Sequence, residues 1–173
     1  MKREKYLSWE ESFMLIAIIS SLRSKDPSKR VGACIVNSEN VIVGTGYNGL
    51  PRGFNDDEFP WEKSDDFKKS RNSYVVHSEE NAIANARGEL KECKMYVTLF
   101  PCNECAKLIV QKRIEKVIYL SASNMHNAYV PVALEILQKG GVEVEKSSIN
   151  AEELLGEFPK MMEELLRKDL SLI

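Results

Sequence analysis

"KMYVTLFPCNECAKLIVQKRIEKVIYL", residues 94–120, decides how the chain is read. The runs KMYVTLF and KVIYL have the apolar, β-branched and aromatic composition of strands, and the segment between them reads as a helix from Cys102. Pro101 stands just before that start, where its fixed φ suits a first turn. Working outward, VVHSEENAIANARG (residues 75–88) predicts a helix opening near His77. RVGACIVNSENVIVGTGYNG (residues 30–49) holds two short β-branched runs around the turn-prone Asn37-Ser38-Glu39-Asn40, an antiparallel hairpin. Ser8 with Glu11 three residues on forms a capping-box pattern and predicts a helix over residues 9–23. Downstream, YVPVALEILQKGG (residues 129–141) is helical and stops at a glycine pair, and the strand VEVEK follows.

Helices alternating with about five strands, the first two antiparallel, predict an α/β fold on a mixed central sheet. Residues 49–73, GLPRGFNDDEFPWEKSDDFKKSRNS, form a polar loop of a length that is functional or mobile in compact domains. Residues 151–173 are helical in period, with a break expected near Pro159. All of residues 1–173 read as one domain with a core at about 8–145, and the C-terminal extension is assigned no function.

The totals narrow the functional classes. A chain of 173 residues that is 43% hydrophobic and 29% charged buries one sizeable core. Lys and Arg number 24 against 26 Asp and Glu, with no basic stripe, which argues against a nucleic-acid partner and leaves room only for small anions on a few placed cations. FMLIAIISSL (residues 13–22) is too short to span a bilayer and follows an acidic WEES, so no membrane association and a cytoplasmic location are expected. Four cysteines at this length do not make a disulfide scaffold and suit a reducing compartment.

Cys102 and Cys105 are spaced i, i+3, so a helix starting there puts both sulfurs on one face of its first turn. The positive helix end favours thiolate, which serves either metal binding or redox chemistry. His77 and Glu79, upstream, favour metal. Two thiolates and an imidazole leave one tetrahedral position of zinc open, the arrangement of catalytic rather than structural sites. Two thiolates also neutralise the ion, so such a site is cheaply buried. Residues two apart on a helix point about 200° apart, so His77 serves as ligand while Glu79 approaches from another side as the proton carrier.

His77-Ser78-Glu79 followed by Pro101-Cys102-Asn103-Glu104-Cys105 matches the H-x-E and P-C-x-x-C signature of zinc nucleobase deaminases. Beyond that motif, SKDPSKRVGACIVNSENVIVGTGYNGLPRGFNDD and MYVTLFPCNECAKLIVQKRIEKVIY resemble the deoxycytidylate deaminase branch of the cytidine/deoxycytidylate deaminase family, across about residues 8–145. The resemblance implies the cytidine-deaminase-like three-layer α/β/α sandwich. It implies hydrolysis of dCMP to dUMP and ammonia, supplying dUMP for thymidylate synthesis, with Zn2+ on His77, Cys102 and Cys105 and Glu79 moving protons. It further implies a homo-oligomer, often a hexamer, activated by dCTP and inhibited by dTTP with Mg2+. For the nucleotide, Ser24, Lys25 and Arg30 offer donors to the phosphate, Asn48 to the sugar or phosphate edge, and the Ser78 N–H to the pyrimidine carbonyl. Asn48, Gly49, Pro51, Arg52 and Gly53 shape the loop that contributes to the family's triphosphate site. The family usually has alanine where this chain has Ser78; the hydroxyl adds one small donor and acceptor.

Other readings compete with these. A deaminase of dCTP or another cytosine nucleotide, even a bifunctional one, keeps the same motifs. A catalytically silent nucleotide-sensing zinc domain would not need Glu79. Glu80 reads as a first-turn acid, His126 as a loop histidine, Cys34 as a small core residue and Cys93 as an incidental thiol. Lys25, Arg30 and Arg52 also fit a solvated surface. Tyr47 and Trp61 serve equally to stack a base or to pin the long loop.

Overall fold

The computed structural model describes residue 4 and residues 6–123 and 127–169. Helix α1 (Trp9–Ser21) carries the expected capping box: Ser8 Oγ accepts from Glu11 N at 3.2 Å, and Glu11 Oε2 accepts from Ser8 N at 2.7 Å. Strands β1 (Gly32–Val36) and β2 (Ile42–Tyr47) form the hairpin, its turn closed by Asn37 Oδ1 accepting from Glu39 N and Val41 N. The long segment that follows contains two short 3-10 turns, Phe67–Lys69 and Arg71–Ser73. After it come α2 (Ser78–Asn85), β3 (Lys94–Leu99), α3 (Asn103–Gln111), β4 (Lys116–Ser121), α4 (Tyr129–Lys139), β5 (Glu143–Lys146) and α5 (Ala151–Glu164).

The strand order is β2-β1-β3-β4-β5. β1 runs antiparallel to both β2 and β3, whereas β3, β4 and β5 are parallel. Side-chain alternation along the strands builds two cores. Ala33, Ile35, Met95, Val97 and Val117 pack with Ala82 of α2, Ile109 of α3 and Leu137 of α4. Cys34, Val36, Tyr96 and Ile118 pack instead with Phe13, Met14 and Ala17 of α1. Helices therefore cover both faces of a mixed five-stranded sheet, the predicted α/β/α sandwich.

At eight residues α2 is shorter than the roughly 12–15 that make an isolated helix even marginal, so packing holds it. Gly46 of β2 permits that packing: a Cβ there would lie 2.3 Å from Ser78 O and from Ala82 N. The first turn of α2 consequently lies directly on the sheet.

Two readings change, and one falls outside the described residues. Helix α5 runs through Pro159 without a break. The carbonyl that loses its donor belongs to Leu155, a residue 45% exposed, on a side of the helix open to solvent. Cys93 is a core residue, 1% exposed, rather than an incidental thiol. His126 lies outside the described residues. No helix among the described residues is long and apolar enough to cross a membrane.

Candidate active site

His77 is the N-cap residue of α2 and Cys102 that of α3, with Cys105 in the first turn of α3. Two helix N-termini therefore meet here, each contributing partial positive charge. His77 Nδ1 lies 3.4 Å from Cys102 Sγ and 3.4 Å from Cys105 Sγ, and the three ligand atoms are within 4.8 Å of one another. Zinc with bonds of about 2.0 Å to nitrogen and about 2.3 Å to sulfur at tetrahedral angles separates N from S by about 3.5 Å. The side chains already stand at that spacing, so the donor set fits zinc.

The proton distribution among these groups agrees with that fit. The Cys102 thiol is pushed down to about 4, chiefly by a hydrogen bond from Cys105 and against the effect of burial. Cys105 is pushed up by the same bond and by its burial. His77 rises to about 9, chiefly through its hydrogen bond with Cys102. Protons thus sit on Cys105 and on His77 while Cys102 is thiolate, and a dication bound by all three displaces both of them.

Glu79, in the first turn of α2, is 5% exposed. Its Oε2 accepts from Ser78 Oγ at 2.8 Å. Burial pushes its carboxyl up, opposed by the positive charge of His77 and by hydrogen bonds from its own N–H and from Ser78. A buried carboxyl whose two protonation states are brought closer in energy is equipped to carry a proton. Glu80 accepts from His77 N at 2.9 Å and closes the helix start, the first-turn role read from the sequence.

His77, Ser78, Glu79 and Cys102 open onto a cavity of about 460 Å3, walled on its apolar side by Val75, Leu99 and Phe100. Lys29, Lys63, Arg71, Asn72 and Tyr129 also line it, and none of them was singled out by sequence reasoning. The nearest available signal was position: Arg71 and Asn72 lie close before His77, and Lys29 lies inside SKDPSKR. Among the described residues neither Lys29 nor Lys63 makes an ion pair, whereas Arg71 is paired with the buried Asp26.

The other expected residues are placed as follows. Asn48 lines the cavity, but its amide is occupied: Oδ1 accepts from Val31 N, and Nδ2 donates to Lys29 O and Asp26 Oδ2. Ser24 is buried and donates to Asn48 O at 2.7 Å. Lys25 pairs with Asp56 and Arg30 is exposed, and neither lines this cavity. Gly49 pairs with Val76 in an isolated antiparallel bridge, and Gly53 takes a left-handed φ of 88° in a turn. Pro51 and Arg52 line a different cavity, of about 1110 Å3, together with Arg23 and Tyr47. Tyr47 thus faces away from His77, its ring 6.0 Å from the Arg23 guanidinium, while Trp61 pins the long loop by donating to Asp56 O at 2.8 Å.

Comparison with known proteins agrees with this geometry. Deoxycytidylate deaminase of Mus musculus is 51% identical over 140 residues, covering 80% of this chain and 78% of the mouse protein. That of Homo sapiens is 56% identical over 122 residues, covering 69% and 68% respectively. A crystal structure of dCMP deaminase from the cyanophage S-TIM5 in complex with dCMP and dUMP superposes with a TM-score of 0.66 at 29% identity, covering 82% of this chain and 100% of the phage chain. Residues 7–121, which include both halves of the His-Cys-Cys cluster, match the cytidine and deoxycytidylate deaminase zinc-binding region, and the chain accordingly belongs to the cytidine and deoxycytidylate deaminase family.

Proposed function

We propose that this chain converts dCMP and water to dUMP and ammonia, supplying dUMP for thymidylate synthesis in the cytoplasm. The observation that carries the reading is Glu79, a buried carboxyl beside three zinc-type ligands at the base of a nucleotide-sized cavity. A silent sensor has no use for it. The names of the mouse and human relatives, and the dCMP and dUMP in the phage complex, support the substrate.

When bound by His77, Cys102 and Cys105, zinc supplies Lewis acidity and draws the pKa of water at its open position toward about 7. Glu79 accepts the proton of the attacking water, hands it to N3 of cytosine, and then carries the second proton to the C4 amine. A C4–O bond forms, the C4–N bond breaks, and ammonia leaves. The Ser78 N–H, in the first turn of α2 and unpaired within the helix, is available to the pyrimidine carbonyl. Leu99, Phe100 and Val75 exclude water from the ring. Lys29 and Lys63 are the cations best disposed toward the substrate phosphate, with Arg71 behind them. Asn48 and Ser24, their polar atoms already engaged, shape the wall, and the placements of Lys25 and Arg30 favour surface roles.

The second cavity is the proposed regulatory site. Arg23 and Arg52 suit a triphosphate and Tyr47 a base, which fits dCTP as activator and dTTP as inhibitor, each carried with Mg2+, in a homo-hexamer.

The test is ammonia release from dCMP, dCTP, CMP and deoxycytidine, each with and without dCTP and dTTP. Zinc-loaded wild type should turn over dCMP, and Glu79→Gln should fall by about 10²–10⁴-fold. Wild type that binds dCMP yet releases no ammonia under any of these conditions would end the enzymatic reading.

A further inference from the structure

Ser78 separates the metal-type His77 from Glu79. Its side chain is fully buried, and its Oγ donates to Glu79 Oε2 at 2.8 Å. Among the described residues no other side chain competes for that hydroxyl. Adjacent residues on a helix point about 100° apart, so the bond forms only when the Glu79 side chain turns back toward the start of α2. Among the staggered conformers open to a glutamate, few satisfy that condition.

The carboxyl accepts from its own N–H as well, so the Ser78 hydroxyl is the side-chain half of a local cradle for Glu79. We infer that Ser78 is a positioning residue: its buried hydroxyl holds the Glu79 side chain in one conformer, turned toward the start of α2. The inference rests on Glu79 as proton carrier. Because the hydroxyl acts on Glu79 rather than on the nucleotide, its loss should be felt in turnover and not in substrate affinity.

Ser78→Ala tests it, since it removes the hydroxyl and leaves the Cβ and the backbone as they are. The zinc-loaded variant should keep wild-type zinc per chain, a melting temperature close to wild type and a KM for dCMP within about twofold. Its kcat should fall by about tenfold, the loss of one hydrogen bond to a charged group. A crystal structure of the variant should show the Glu79 carboxyl in more than one conformer. An unchanged or raised kcat, or a single unaltered Glu79 conformer, would overturn the inference. So would a loss of zinc or a change of KM in step with kcat, because the hydroxyl would then be structural. Glu79→Gln separates this from failure of the proposed function: if it abolishes turnover while Ser78→Ala leaves kcat intact, only the positioning role falls.

Discussion

The Arg71 guanidinium donates to the Asp26 carboxylate beneath the cavity, with both side chains less than a tenth exposed. Asp26 also accepts from Ser28 N at 2.8 Å, from Lys29 N at 3.1 Å and from Asn48 Nδ2 at 3.2 Å. One carboxylate thus ties together the loop after α1, the residue after β2 and the 3-10 turn that leads to His77. Asp26→Ala leaves Arg71 charged, buried and unpaired, and should lower stability by about 3–5 kcal/mol. Urea denaturation measures this, and a loss below about 1 kcal/mol would show that the pair does not organise the cavity.

Gly46→Ala should separate packing of α2 from general stability. The added Cβ meets backbone atoms, Ser78 O and Ala82 N, which cannot rotate away. Relief requires α2 to lift from β2 and carry His77 and Glu79 with it, so stability should drop by about 1–3 kcal/mol and kcat should fall as well. Gly156 in α5 is the control: among the described residues a Cβ there meets no side chain or other element within 4 Å, and Gly156→Ala should stabilise by up to about 1 kcal/mol with kcat unchanged. Equal kcat in the two variants would sever α2 seating from catalysis.

The zinc-type cluster was legible because each half is a local pattern at a helix start, His77 before α2 and Cys102 with Cys105 opening α3. The sheet was legible because its central strands carry dense apolar, β-branched runs that bury both faces. The nucleotide end was not. Lys25, Lys29 and Arg30 are chemically equivalent in sequence, and which one faces the cavity depends on how Asp26 folds the loop by accepting from Ser28 N and Lys29 N. Arg71 sits in a segment without periodicity, so no pattern marked it as buried. Pro159 misled because the break rule presumes that the orphaned carbonyl is shut off from solvent.

Cys102→Ala and Cys105→Ala should each abolish zinc binding and lower stability. The proposed ligands stand at the starts of α2 and α3, so an ion held by all three would make binding free energy folding free energy. An ion present at a hundred times its dissociation constant stabilises by about 2.7 kcal/mol, and chelation of wild type should cost at least that. Metal analysis with thermal melts checks both effects, and wild-type zinc content in either variant would contradict the ligand assignment.

Chelated protein should also expose one unusual thiol. With its pKa pushed down to about 4, Cys102 is thiolate at every pH above that value, so alkylation by iodoacetamide should already be fast at pH 6. The buried Cys34, pushed up to about 12, stays protonated and should not react. Zinc should protect Cys102. Peptide mass mapping identifies the modified residue, and labelling that begins only near pH 9 would mean that Cys102 behaves as an ordinary thiol.

Arg52→Ala addresses the second cavity without touching the first. Arg52 is exposed and donates from Nη2 to Asn85 Oδ1 at 3.1 Å, so its removal should change stability by no more than about 0.5 kcal/mol. It lines the wall shared with Arg23 and Tyr47, away from Glu79. The variant should keep basal turnover of dCMP while its dCTP activation and dTTP inhibition curves move to higher effector concentration by about tenfold or more, the loss of one charge-assisted phosphate contact. Titration of each effector at fixed dCMP reads the shift. Superimposable curves for wild type and variant would remove Arg52 from effector binding and, with Arg23→Ala giving the same result, would remove the cavity.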